Sequence, residues 1–189
     1  MSSNYIPNKE SIYDLEKGKM LREVLVASDP YKGITMGKAE IGTIKAADGK
    51  TDLNYRLIKP SNFDAKKKYP VLVYVYGGPH AQLITNSWLG GASLWMYWMA
   101  EQGYLVYTVD NRGSANRGFE FESVIHRQLG TAEMADQMEG VKHLKSLPYV
   151  NANRLAVHGW SFGGFMTTSL MLRQAGVFNV GVAGGPVTD

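Results

Sequence analysis

The feature of the sequence that most restricts its fold is an alternation of continuous apolar runs with segments of helical character. Four runs have the β-branched and aromatic composition of strands buried on both faces: VLVYVYGG, YLVYTVDNRG, RLAVHG and the start of VFNVGVAGGP. Three helical segments lie between them: SLWMYWMAEQ, TAEMADQMEGVKHLKSL and FGGFMTTSLMLRQAG. Because strands that alternate with helices form βαβ units, the sequence predicts an α/β fold with a mostly parallel sheet.

The second helical segment shows the clearest periodicity, with apolar residues three or four positions apart: Met134, Met138, Val141, Leu144 and Leu147. This spacing places one apolar stripe against a core. We expect the side chain of Thr131 to cap the start of this helix and Pro148 to end it.

Two segments before the first apolar run predict an antiparallel hairpin around the turn Asp48-Gly49-Lys50. In the second of them, Leu53, Tyr55 and Leu57 alternate with polar residues, as a half-buried strand requires. We therefore expect this strand to turn one polar face to solvent.

The composition excludes several classes of function. With 189 residues, 44% hydrophobic and 20% charged, the chain has the composition of a globular protein. Its formal net charge of +3 comes from scattered lysines, so we expect no nucleic-acid partner. It has no cysteine nucleophile, no HExxH motif or carboxylate cluster that predicts a metal or other cofactor, and no run of roughly 18 apolar residues that predicts a membrane span.

The motif HGWSFGG, residues 158–164, carries the main chemical signal, because Ser161 follows a predicted strand and precedes a predicted helix. A sharp strand-to-helix turn presents a serine at the carboxyl edge of a sheet, and glycines at 159 and 163 avoid collisions with the neighbouring backbone. Two glycines can also mark an ordinary turn, but the flanking strand and helix favour a nucleophile elbow. We predict that Ser161 is the nucleophile of an acyl transfer.

Acyl transfer also needs hydrogen-bond donors for the oxyanion that forms in the transition state. The backbone amide of Phe162 is one candidate, because it lies at the start of the predicted helix. The turn YGGPH, which follows an earlier strand, supplies the Tyr76 hydroxyl as a second candidate. The residues leave two interpretations of Tyr76 open: an oxyanion donor, or an aromatic ring that packs over the turn.

Four stretches together resemble the catalytic domain of the prolyl oligopeptidase family, in that family's order and spacing, and most closely its dipeptidyl peptidase IV branch. They are KYPVLVYVYGGP, VDNRGSANRG, HRQLGTAEMADQ and HGWSFGG. The resemblance extends from about Tyr55 to Val187. It implies an α/β-hydrolase fold, here truncated before the last strands and the last helix.

The resemblance also implies roles for individual residues. Ser161 would attack a peptide carbonyl, and the Tyr76 hydroxyl and the Phe162 amide would bind the oxyanion. Trp160 would brace the elbow and contact the substrate. Phe162 stands where this branch usually has tyrosine, which leaves the functional backbone amide unchanged.

Family members that resemble this chain remove dipeptides from peptide N-termini, usually after proline or alanine, and use no cofactor. They carry a β-propeller before the hydrolase domain. We therefore expect residues 1–35 to be the tail and linker of such a propeller, and residues 36–189 to be the N-terminal portion of the catalytic domain. The resemblance suggests a periplasmic or secreted parent protein.

In this family the acid and histidine of the triad follow the serine, and the resemblance places both beyond residue 189. We therefore expect this chain alone to be inactive. Asp189 follows Ser161 but lies one strand too early for the family's acid, and we interpret the four histidines as structural. The open edge of the last strand predicts association into homo-oligomers. An esterase or acylaminoacyl peptidase of the same fold is the alternative chemistry.

Overall fold

The computed structural model describes residues 2–188. Within that range the strands are β1 (Lys9–Asp14), β2 (Lys19–Val26), β3 (Lys38–Lys45), β4 (Asp52–Lys59), β5 (Tyr69–Tyr74), β6 (Leu105–Asp110), β7 (Val150–Trp160) and β8 (Val180–Gly184). The helices are α1 (Leu94–Glu101), α2 (Phe119–Ser123), α3 (Ala132–Ser146) and α4 (Phe162–Arg173), and a 3-10 turn covers Trp88–Gly91.

A mixed six-stranded sheet lies at the centre, with strand order β3-β4-β6-β5-β7-β8. Strand β5 pairs in parallel with β6 and β7, and β7 pairs in parallel with β8. The β3–β4 hairpin is antiparallel and joins the sheet through an antiparallel β4–β6 pair. The predicted α/β fold and its hairpin are confirmed. Because β5, β6 and β7 all point the same way, the loops that follow them lie at one edge.

Helices cover both faces of this sheet. Alternate residues of β6 show the division: Leu105, Tyr107 and Val109 are buried in a cluster with residues of α3 and α4, whereas Val106 is buried in a second cluster with residues of α1. Successive side chains of a strand point to opposite faces, so the two clusters lie on opposite sides of the sheet. Both sides of the central strands are therefore apolar, as their continuous apolar sequence predicts.

The predicted apolar stripe of α3 is confirmed. Met134, Val141 and Leu144 are all buried in the cluster that α3 shares with α4 and the sheet. The helix ends at Ser146, two residues before Pro148. Because proline cannot continue a helix and restricts the residue before it, this end agrees with the prediction.

The predicted cap of α3 is wrong. The Thr131 hydroxyl donates to the Gln128 carbonyl oxygen at 2.5 Å and does not cap the helix. The buried carboxylate of Glu133 instead accepts hydrogen bonds from the backbone amides of Gly130 and Thr131. An acidic side chain inside the first turn can satisfy such amides, and the sequence pattern alone did not distinguish the two arrangements.

Strand β4 also departs from the prediction of one solvated polar face, because Arg56 is only 1% exposed. Its Nη1 donates to the carbonyl oxygens of Leu83 at 2.9 Å and Gly90 at 2.7 Å. Its Nη2 donates to the Thr108 hydroxyl at 3.3 Å. Burial lowers the pKa of Arg56. The carbonyl acceptors replace part of the hydrogen bonding that a guanidinium loses when it leaves water, so a polar residue in an alternating pattern can be buried.

Asp110, at the end of β6, holds the same loop through two of its backbone amides. Its carboxylate accepts hydrogen bonds from the amides of Leu83 at 3.0 Å and Ile84 at 2.9 Å. Burial raises the pKa of this carboxyl group. Two buried side chains of opposite charge thus fix the loop between β5 and α1 through its backbone.

The segment before β3 forms a small sheet of its own, in which β1 and β2 pair antiparallel. Strand β2 is exposed along its whole length. The Asn4 side chain and the Tyr5 hydroxyl donate to the Ala39 carbonyl oxygen at 3.1 and 2.8 Å, so the start of the segment contacts the main sheet. Across residues 2–188, no helix has both the length and the hydrophobicity to span a bilayer.

We expect Arg56→Ala to lower the free energy of unfolding by about 3 kcal/mol, because it removes a buried guanidinium that donates hydrogen bonds to the carbonyls of Leu83 and Gly90. Urea denaturation followed by circular dichroism measures this change. Arg154→Ala is the control, since Arg154 is exposed, and it should change stability by less than about 0.5 kcal/mol. A loss below about 1 kcal/mol for Arg56→Ala would contradict the anchoring role.

Candidate active site

Ser161 lies at the turn between β7 and α4, with φ 59° and ψ −120°. A positive φ is uncommon for a residue with a side chain and marks local backbone strain. The Ser161 amide donates to the Gly184 carbonyl oxygen at 2.9 Å, and the Ser161 carbonyl accepts from the amides of Gly164 and Phe165. These bonds hold the strained residue between the end of a strand and the first turn of a helix, as the elbow prediction requires.

Glycine is needed on both sides of Ser161 because backbones approach closely there. A Cβ atom at Gly159 would collide with the carbonyl groups of Gly163 and Val75. A Cβ atom at Gly163 would collide with the same Val75 carbonyl and meet the Cα of Tyr76. Because backbone atoms cannot move aside as a flexible side chain can, these contacts explain both glycines of the motif.

The donors expected around the serine lie at the same place. Phe162 is the first residue of α4, which has 12 residues, so its amide stands at the positive end of the helix dipole. Among the described residues, neither this amide nor the Ser161 hydroxyl has a hydrogen-bond partner. The Ser161 side chain is half-buried rather than enclosed. Both groups are therefore available to a substrate.

Tyr76 is next to this elbow because β5 and β7 are neighbours in the sheet. The Val75 amide donates to the His158 carbonyl oxygen at 2.9 Å, which extends the pairing of the two strands to their ends. The rings of Tyr76 and Phe162 lie 6.3 Å apart, centroid to centroid. The structure thus brings Tyr76, Ser161 and Phe162 together, and the role of the Tyr76 hydroxyl as an oxyanion donor stays a prediction.

Trp160 precedes the serine and leaves 63% of its surface exposed. Its ring lies against Gly184 in the neighbouring strand β8, where any side chain would collide with it. Since Ser161 is hydrogen-bonded to that same glycine, the indole covers the outer side of the elbow. The exposed ring is available for substrate contact, which also stays a prediction.

Three of the four histidines have ring partners other than Ser161. The ring of His158 is hydrogen-bonded to the Val182 carbonyl at 2.7 Å, and that of His80 to the Glu122 carboxylate at 2.7 Å. The His143 ring packs against tyrosine rings, and burial lowers its pKa. None of the four histidines is hydrogen-bonded to Ser161. Asp189, the other candidate considered for the triad, lies outside the described residues.

Two buried side-chain amides, which the sequence pattern did not predict as part of the site, lie beside the turn that carries Tyr76. The Asn111 amide nitrogen donates to the Gly77 carbonyl oxygen at 2.7 Å, and the Gln137 amide nitrogen donates to the Asn111 side-chain oxygen at 2.8 Å. One signal was available: Asn111 is a polar residue directly after a buried strand, where parallel sheets form their sites. Gln137 gives no such signal, because it lies in the middle of a helix.

A mixed sheet flanked by helices, with a serine at positive φ between a parallel strand and the helix that follows it, defines the chain as an α/β-hydrolase fold. The comparisons with known proteins agree with this fold.

A profile of the prolyl oligopeptidase family matches residues 92–189. Human dipeptidyl peptidase 8 is 37% identical over 150 residues, which are 79% of this chain and 17% of that protein. The chain belongs to the prolyl oligopeptidase family of serine peptidases.

Two solved structures match over all of this chain and 27% of their own. One, from Bacteroides ovatus, is a candidate dipeptidyl aminopeptidase IV with 56% identity and a TM-score of 0.98. The other is dipeptidyl peptidase 4 from Porphyromonas gingivalis, with 32% identity and a TM-score of 0.90. The chain thus spans a small part of the length of its relatives.

We expect Gly163→Ala to destabilise the protein by about 2 kcal/mol and to disturb the elbow, because the added methyl group collides with the Val75 carbonyl. Gly103→Ala is the control for backbone strain without a collision. Gly103 has φ 88°, which disfavours a side chain, but it has open space around it. That variant should lose about 1 kcal/mol from backbone strain alone. Urea denaturation measures both, and an equal loss in the two variants would contradict a steric requirement at the elbow.

Proposed function

We propose that the complete protein is a serine exopeptidase that releases N-terminal dipeptides, with proline or alanine in the second position, through an acyl-enzyme intermediate. The observation that carries the proposal is the geometry of Ser161, a strained residue at the start of a helix with a free hydroxyl. Relatives named dipeptidyl peptidase or dipeptidyl aminopeptidase support the release of dipeptides.

In the proposed first step, the Ser161 Oγ attacks the carbonyl carbon of the scissile peptide bond while a histidine takes the hydroxyl proton. The carbonyl oxygen becomes an oxyanion, and the Phe162 amide and the Tyr76 hydroxyl donate hydrogen bonds to it. The tetrahedral intermediate collapses to an acyl-enzyme ester. The histidine passes its proton to the leaving amine.

In the second step, water hydrolyses the ester by the same sequence of proton transfers and releases the dipeptide. We infer that the histidine and its acid come from parts of the complete protein that this chain does not include, because none of the four histidines here is hydrogen-bonded to Ser161. This chain alone would then lack turnover.

The proposal assigns residues 1–35 to the end of a β-propeller and the linker that follows it, and residues 36–189 to the catalytic domain. Two observations support the boundary. The β1–β2 hairpin pairs only with itself among the described strands, and its second strand is exposed along its whole length. A two-stranded hairpin needs further strands or a helix to pack against, which a neighbouring domain would supply.

We expect Ser161→Ala in the complete protein to abolish cleavage of a glycyl-prolyl chromogenic amide, with a loss of at least about 10⁴-fold in kcat. A fluorophosphonate should label the unmodified protein at Ser161, and peptide mass spectrometry can locate the labelled residue. Ser146→Ala is the control, because Ser146 is an exposed serine at the end of α3, and it should leave both readouts unchanged.

Full activity in Ser161→Ala, or labelling at another residue, would contradict the proposed nucleophile. Cleavage of acetylated peptides or simple esters in place of the glycyl-prolyl amide would favour the alternative, an acylaminoacyl peptidase or esterase. The elbow is common to these chemistries, so the substrate panel decides between them.

We also propose that this 189-residue chain, expressed by itself, associates with further copies through its last strand. Strand β8 is at the end of the sheet order, and its Val180 and Val182 side chains are 54% and 55% exposed. An edge strand with apolar residues favours pairing with another chain.

Light scattering should therefore give a mass of at least twice the 20.9 kDa of one chain. We expect Val182→Lys to shift the chain toward the monomer, because it places a charge on the uncovered face. Leu172→Lys, which changes an exposed leucine of α4, is the control. A monodisperse monomer at micromolar concentration would contradict the association.

A further inference from the structure

The turn Gly77-Gly78, directly after Tyr76, is held by a buried amide from the neighbouring strand end. Asn111 is fully buried, and its amide nitrogen donates to the carbonyl oxygens of Gly77 and Arg112, each at 2.7 Å. Its side-chain oxygen accepts from the Gln137 amide nitrogen at 2.8 Å. Because two carbonyls face one end of the Asn111 amide and an N–H faces the other, only one orientation satisfies all three bonds.

Gln137 fixes that orientation from α3. Its side chain is 2% exposed, and its amide nitrogen also donates to the Val109 carbonyl oxygen at 3.0 Å. The residues on either side of Asn111 are anchored as well. Asp110 binds the amides of Leu83 and Ile84, and Arg112 forms an ion pair with the buried carboxylate of Asp136 at 2.8 Å. Asn111 therefore projects from a rigid strand end.

The turn itself has no such rigidity of its own. Gly77 and Gly78 have φ of 95° and 113°. Glycine can adopt many other backbone conformations of similar energy, so these two residues do not fix the turn by themselves. Two consecutive glycines after Tyr76 would let the tyrosine and its hydroxyl occupy several positions. An oxyanion donor acts only when it is already in place, since stabilisation depends on a fixed geometry in the transition state.

We propose that Asn111 is a positioning residue that holds the Gly77 carbonyl and so places the Tyr76 hydroxyl beside Ser161, and that Gln137 sets the orientation of the Asn111 amide. Neither residue touches the reacting atoms. This inference rests on the proposed function, because it assigns a role relative to the oxyanion donor Tyr76.

In the complete protein, we expect Asn111→Ala to lower kcat for the glycyl-prolyl amide by about 10- to 100-fold with KM changed less than about twofold. The loss is smaller than for removal of an oxyanion donor, since the hydroxyl is displaced and not deleted. Affinity for a prolyl boronic acid, which mimics the tetrahedral intermediate, should fall by the same factor as kcat/KM. Affinity for a product dipeptide should stay unchanged.

Gln137→Met, which keeps the length of the side chain but removes its hydrogen bonds, should show the same pattern at about three- to tenfold. In a double-mutant cycle with Asn111→Ala the two effects should not multiply, because Gln137 acts through Asn111. Leu144→Ala is the control for loss of stability. It removes a buried core residue of the same helix, so it should lower the melting temperature and leave kcat within about twofold below the melting transition.

Fluorophosphonate labelling separates the two levels of the inference, because it needs no assumption about the natural substrate. The labelling rate of Ser161 should fall at least about fivefold in Asn111→Ala. If the unmodified protein is not labelled at Ser161, the proposed function fails and this inference fails with it. If the unmodified protein is labelled at Ser161 but Asn111→Ala is labelled and turns over as fast as the unmodified protein, only the positioning role is overturned. The positioning role is also overturned if Leu144→Ala loses as much kcat as Asn111→Ala.

Discussion

The site depends on the close packing of three backbone segments around the Val75 carbonyl. Val75 directly follows β5, and both glycines that flank Ser161 lie against its carbonyl without room for a side chain. This contact sets the distance between the Tyr76 turn and the first turn of α4. The hydrogen bond from Ser161 to Gly184 of β8 adds a third strand. A strained backbone persists only where its surroundings hold it, and here three adjacent parallel strands do so.

Buried polar side chains fix the positions of the loops through hydrogen bonds to their backbone. The long loop after β5 is tied down by Arg56 and Asp110, and its first turn by Asn111. Each of these side chains binds backbone groups, so a segment without regular secondary structure has its hydrogen bonds satisfied inside the protein. The apolar core positions the strands, and these polar contacts position the loops on which the proposed chemistry depends.

Much of the fold was readable because it rests on local patterns. The continuous apolar runs predicted the buried strands, and the three-to-four spacing from Met134 to Leu147 predicted the buried side of α3. The errors came from polar residues. Arg56 alternates with leucine and tyrosine as an exposed residue would, yet it is buried. Thr131 has the residue type of a cap, yet its side chain makes no cap hydrogen bond. Partners distant in sequence decided the burial of Arg56, whereas the partners of Thr131 and Glu133 are close in sequence.

The sequence by itself determined the order of strands and helices, the family, and the turn at Ser161 with its flanking glycines. These features depend on hydrophobic periodicity and on steric restrictions between residues that are neighbours in the sequence. Tertiary structure alone decided that Tyr76 lies beside Phe162 and that none of the four histidines is hydrogen-bonded to Ser161. It also decided that Asn111 reaches the Gly77 carbonyl and that Gln137 reaches the Asn111 side chain. These relations join residues from β5, β6, α3 and α4. Their partners are set by how strands align in a sheet, which no local pattern encodes.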